Sequence, residues 1–88
     1  GVAHLVCIRV TAEFLEFSRE RGNDLSTARP EMRFRGLQPG DRWCLHVLRW
    51  IEAWEAGRAP KVVLEATHAN VLKLVPLQAL KRHALEPH

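Results

Sequence analysis

The stretch Asp41-Arg42-Trp43-Cys44-Leu45-His46-Val47-Leu48-Arg49-Trp50-Ile51-Glu52-Ala53-Trp54-Glu55-Ala56-Gly57 sets how the whole chain is read. At 100° per residue, Trp43, Cys44, Val47, Leu48, Trp50, Ile51 and Trp54 fall on one broad stripe, with Arg42, His46, Arg49 and Glu52 beside or opposite it. That pattern predicts an amphipathic helix, capped by Asp41 and ended by Gly57. Trp43, Trp50 and Trp54 line one edge of the stripe, so all three tryptophans of the protein face one way. Two readings of that edge stand side by side: core packing, and a surface for a homo-oligomer or partner, since tryptophan is enriched at binding hot spots. On the second reading, Trp50 or Trp54 is partly exposed in the monomer and covered in a dimer.

Toward the amino terminus, residues 2–10 are almost entirely apolar and rich in β-branched side chains. Val6, Ile8 and Val10 share one face and Leu5 and Cys7 the other, as in a strand covered on both sides. Thr11 then caps a first helix that carries Glu13 in its first turn, buries Phe14, Leu15 and Phe17, and stops at Gly22. Between the two helices, residues 22–41 show neither a helical nor a strand period and are punctuated by Pro30, Gly36, Pro39 and Gly40. Structureless connections longer than about 12 to 15 residues are uncommon in compact domains and tend to be functional or disordered. Leu25, Met32, Phe34 and Leu37 supply apolar anchors, which predicts an ordered loop wrapped over the core.

Toward the carboxyl terminus, residues 61–66 and 71–75 read as two strands joined by Thr67-His68-Ala69-Asn70, a hairpin, with a helical turn starting at Thr67 as the competing reading. Pro76 opens a last helix with Leu77, Leu80 and Ala84 inward and Lys81, Arg82 and His83 in its final turn. The expected fold class is α+β: a single domain over residues 1–88, in the order β-α-long loop-α-β-β-α, with a three-stranded sheet packed against helices. Its 88 residues suffice for one core and no more.

The segments Gly22-Asn23-Asp24-Leu25-Ser26-Thr27, Pro39-Gly40-Asp41-Arg42-Trp43-Cys44-Leu45 and Leu64-Glu65-Ala66-Thr67-His68 together resemble DUF2237, a bacterial family of small uncharacterised proteins. The resemblance covers nearly the whole chain. It supports the single-domain reading and implies almost nothing about activity.

Charge and composition narrow the function classes. The formal charge is +3, and ten of the thirteen cations are arginine, the residue suited to planar recognition of carboxylate or phosphate. Arg19, Arg21, Arg29, Arg33, Arg35 and Arg42 are interleaved with Glu20, Asp24, Glu31 and Asp41. Mixed pairing is therefore expected rather than a basic face, which disfavours nucleic acid as a partner. No apolar run approaches the roughly 20 residues that span a bilayer, so a soluble chain with no membrane partner is expected. Two cysteines are too few for a disulfide-stapled secreted scaffold, which favours a cytoplasmic setting with Cys7 and Cys44 as buried, inert small hydrophobes. His4, Cys7, Cys44 and His46 are metal-ligand types, but their spacing on a strand and a helix points them apart, so neither a metal nor another cofactor is expected. No nucleophile motif is present, and whether the protein is an enzyme stays open.

Within the loop, Asn23, Asp24, Ser26 and Thr27 are residues whose side chains bond nearby backbone in turns. The functional alternative is a site for a small anionic ligand, built from Asn23, Asp24, Ser26, Thr27, Arg29, Arg33, Asp41 and Arg42, joined by His68. Three function classes follow in order: a binding or assembly module, a ligand-binding domain or enzyme using the loop, and a nucleic-acid accessory protein.

Overall fold

Strand β1 (Leu5–Arg9) lies at the centre of a three-stranded antiparallel sheet of order β2-β1-β3 in the computed structural model, which describes residues 4–85. Positions 2 and 3 of the expected first strand lie outside the described residues. β2 (Arg42–His46) pairs along all of β1, from Leu5 opposite His46 to Arg9 opposite Arg42. β3 (Lys61–Val62) pairs with Arg9 and Ile8 on the other edge. Helices α1 (Ala12–Glu20), α2 (Val47–Glu55) and α3 (Leu77–Arg82) complete, among the described residues, an α+β fold of three strands and three α-helices, the expected class.

The order of elements differs from expectation in two places. Residues 41–56 are not one helix: Arg42–His46 form β2, and only Val47–Glu55 are helical. The reason is tertiary. β1 needs a hydrogen-bonded neighbour, and the turn through Gly40 (φ 96°) swings the chain alongside it, with Gly40 N–H donating to Val10 C=O and Val10 N–H to Asp41 C=O, each at 2.8 Å. Trp43, Leu45 and Val47 also alternate with Arg42, Cys44 and His46, a period-two signal embedded in the helical stripe. His46 rather than Asp41 caps α2, its ring Nδ1 accepting the Leu48 N–H at 3.1 Å.

The second difference lies after β3. The expected hairpin partner at 71–75 is instead the 3₁₀ turn Ala69–Lys73, which follows another at Leu64–Ala66. This is close to the helical-turn alternative, with His68 in place of Thr67 as cap. Thr67 instead closes the edge of β1 where β3 ends, its hydroxyl accepting the Cys7 N–H at 3.2 Å and donating to Val63 C=O at 3.0 Å. Val71 and Val75 still reach the core.

One core cluster holds Val6, Ile8, Val10, Phe14, Leu45, Val47, Trp50, Val62, Val71, Val75 and Leu80. Helix α1 joins it as the sequence predicts: Thr11 Oγ1 accepts the Phe14 N–H at 3.0 Å, and Phe14, Leu15 and Phe17 are buried. In α3 Leu80 is inward as expected and Ala79 joins it, whereas Leu77, in the first turn after the cap Pro76, is 43% exposed. Ala84 lies past the end of the helix, half-buried where it bridges to Val62.

Trp50 and Trp54 share an edge of α2, but Trp43 does not join them. Trp50 is fully enclosed, its ring 5.6 Å from Trp54 and edge-on to His83 at 5.3 Å. Trp54 is half-buried against the core. Trp43 sits on β2, exposed at the sheet margin.

The cysteines also depart from expectation: Cys7 and Cys44, directly opposite in the β1–β2 register, form a disulfide. They are not inert hydrophobes. Helical spacing would hold Cys44 away from Cys7, and pairing of the strands brings them together. Among the described residues, no helix is long and apolar enough to cross a membrane, and no group of three or more His, Cys, Asp or Glu side chains is placed to hold a metal ion.

Candidate functional site

The loop at 22–41 is ordered by its own hydrogen bonds. Arg29 and Phe34 exchange backbone bonds (2.7 and 3.1 Å) around the 3₁₀ turn Pro30–Met32, and Arg33 closes that turn in the left-handed region at φ 54°. Leu37 N–H donates to Leu25 C=O at 2.8 Å. Gly36 packs so tightly on the Ser26 carbonyl that a Cβ would overlap it, and its φ of 82° also favours glycine. Leu25, Phe34 and Leu37 pack on the core as expected, but Met32 does not: at the tip of the 3₁₀ turn it is 70% exposed.

Asp24 organises the first turn of this loop. Its carboxylate accepts four hydrogen bonds, from the Ser26 N–H (2.9 Å) and hydroxyl (2.9 Å) and from the Thr27 N–H (3.2 Å) and hydroxyl (2.6 Å). These bonds favour the charged form, with the Thr27 hydroxyl contributing most, and hold the pKa at about 2 against an ordinary 3.8. A folded-state value below the unfolded one means that the bonds stabilise the fold fully above about pH 4, and that this contribution disappears as pH falls through about 2. Melting temperatures of the wild type and Asp24→Ala should therefore differ most near neutrality and converge toward pH 2. An unchanged gap across that range would contradict the assignment.

Asp41 plays a similar part at the far end, accepting the Gln38 N–H at 2.9 Å and Arg35 Nη2 at 3.1 Å. The Gln38 amide is the main reason that its carboxyl is held below the usual range, with Arg35 adding to it. Asn23 contributes its backbone, its C=O accepting the Ser18 hydroxyl at 2.6 Å.

The nine candidate ligand-binding residues therefore do not converge on one point. The carboxylates of Asp24 and Asp41 and the side chains of Ser26 and Thr27 are engaged within the loop. Arg33 is exposed at the tip. His68 caps the 69–73 turn through Nδ1, against the edge of β1. Arg42 alternates with Trp43 along β2 and so points to the opposite sheet face.

Arg29 is the exception. It flanks a groove of about 420 Å³ whose other walls are Leu25, Met32, Phe34 and Trp43. The Phe34 and Trp43 rings meet at 5.7 Å with an interplanar angle of 55°. Arg29 is absent from the four ion pairs among the described residues, which join Arg21 and Arg49 to Glu52, Arg35 to Asp41, and Arg58 to Glu20. A hollow of similar size beside His46, Leu48, Arg49 and Glu52 has a different character, because its acid is already neutralised by two arginines. In the sequence, Leu25, Met32 and Phe34 stand out only as anchors, and Trp43 only as part of a helix edge.

Among curated proteins no match was found. The family model described as an uncharacterized protein conserved in bacteria, DUF2237, matches residues 1–84. Coverage of that extent, over all three strands, the ordered loop and all three helices, makes the chain a member of the DUF2237 family.

Proposed function

We propose that the protein is a binding module whose groove between the 22–41 loop and β2 takes a small ligand with a flat apolar body and one anionic group. The observation that carries this reading is the pairing of exposed Met32 and Trp43 with Arg29, the groove's one charged lining residue, which has no carboxylate partner among the described residues. Exposed large apolar side chains gathered in a concavity favour association, and about 420 Å³ lies within the range of small-ligand sites. Arg29 supplies the planar fork that grips a carboxylate bidentately. Among the described residues, neither a nucleophile nor a general base lines the groove, which favours capture over reaction.

Tryptophan fluorescence titrations with 2-naphthoate and its neutral amide test the idea. The carboxylate should quench Trp43 and bind roughly tenfold tighter than the amide, the worth of one charge-assisted hydrogen bond. Arg29→Gln should erase that preference, and Trp43→Leu should remove the quench. Equal binding of acid and amide, or none by millimolar concentration, would sink the proposal.

A further inference from the structure

The sheet face opposite the groove carries the Cys7–Cys44 disulfide and an unusual set of charges. Residues directly opposed in an antiparallel sheet share a face, and positions two apart along a strand return to it. Arg9 opposes Arg42 on one side and Lys61 on the other, so three exposed cations stand in a row across all three strands, spanning about 10 Å at the usual strand spacing. The row lies one step along from Cys7 and Cys44. Like charges placed opposite one another destabilise a sheet, and none of these three joins an ion pair among the described residues. The row thus works against folding, and its use is to be sought in what it attracts.

The disulfide beside it is asymmetric. Cys44, on the edge strand β2, is exposed, whereas Cys7 on the central strand is only 8% exposed. The backbone of Cys7 is held on its other side by Thr67 Oγ1 and by the Val63 N–H at 2.8 Å, so its position rests on these bonds as well as on the sulfur bridge. Access at Cys44 and burial of Cys7 fix which of the two residues an incoming thiolate can reach, and a positive surround favours the thiolates that attack and leave.

We infer that Cys7–Cys44 is a thiol–disulfide exchange site for anionic low-molecular-weight thiols, with Cys44 the sulfur attacked and the Arg42–Arg9–Lys61 row the element that selects the substrate. A carboxylate-bearing thiolate attacks Cys44 Sγ, the Sγ–Sγ bond breaks, and the electron pair leaves on Cys7 Sγ. This gives a mixed disulfide on Cys44 and a thiolate on Cys7. A second thiolate attacks the small-molecule sulfur of that mixed disulfide, releasing the small-molecule disulfide and Cys44 thiolate. The two protein thiolates take up the two protons that the reacting thiols lost. Two electrons have passed from two thiols to the protein disulfide, and the reverse sequence reoxidises it.

The test compares reduced glutathione, which is net anionic, with cysteamine, which is cationic, acting on the oxidised protein, with rates corrected for the thiolate fraction of each. Glutathione should react roughly tenfold faster at low salt, the preference should shrink toward unity at high salt, and Arg9→Gln/Arg42→Gln should diminish it without lowering the melting temperature. The Cys7→Ser variant treated with glutathione disulfide should hold one glutathione on Cys44 by peptide mass spectrometry. Equal rates for the two thiols, an adduct formed first on Cys7 of the wild type, or two free thiols in protein purified without reductant would each overturn the inference.

Discussion

Trp50→Ala should cost about 4 kcal/mol of folding stability, the loss typical of a fully enclosed aromatic truncated to alanine. Trp50 is 0% exposed and touches both Trp54 and His83, and its indole N–H points to the Pro60 carbonyl at 3.5 Å. It therefore joins α2, the β3 approach and the end of α3 in one contact. Truncation leaves a void that three separate elements would have to close, which the backbone bonds of the sheet resist. In a domain of this size the melting temperature should fall by roughly 20 °C. Trp54→Ala, at a half-buried position, should cost clearly less. The effect should not depend on protein concentration, because Trp50 is inside the protomer and not at a surface between copies. A loss below about 1 kcal/mol, or one that grows on dilution, would contradict this placement.

Removing the Cys7–Cys44 bridge should have an effect of similar size. The two residues are 37 apart in sequence, and chain-entropy treatment of a closed loop of that length gives about 4 kcal/mol, acting chiefly on the unfolded chain. The urea midpoint of the oxidised protein should therefore fall sharply on adding a strong reductant, and Cys7→Ser/Cys44→Ser should reproduce the reduced value. The β1–β2 ladder has five registered pairs, four of them besides Cys7–Cys44, so the reduced protein should remain folded at neutral pH. Identical midpoints with and without reductant would show that the bridge does not form.

How far each element is legible follows from how local its causes are. β1 and α1 can be read directly, since a near-continuous β-branched run, a threonine cap and a glycine stop act within a few residues of one another. At 42–46, helical and strand periods both fit the side chains, and continuity with the amphipathic stripe of residues 47–55 favours the helix. Pairing with β1 selects the strand, and a neighbour some 37 positions away leaves no local trace. The same ambiguity conceals the disulfide, the burial of Trp50 apart from Trp43, and the row of cations. The loop is recognisable as ordered, and Asp24 as a turn former, because Asx-type bonds span two or three residues. Its groove is not, because its fifth wall, Trp43, arrives from β2.

Local patterning is enough to specify an α+β chain with a first strand, a capped first helix, an amphipathic second helix and an arginine-bearing ordered loop, since each rests on short-range periodicity, capping or turn chemistry. Assembly of the sheet and core was required to settle which tryptophan is core and which is surface, that Arg29 meets an apolar groove while Arg42 faces away from it, and that Cys7 meets Cys44. Those outcomes depend on register, and a strand paired one residue out of step would turn every one of its side chains to the other face.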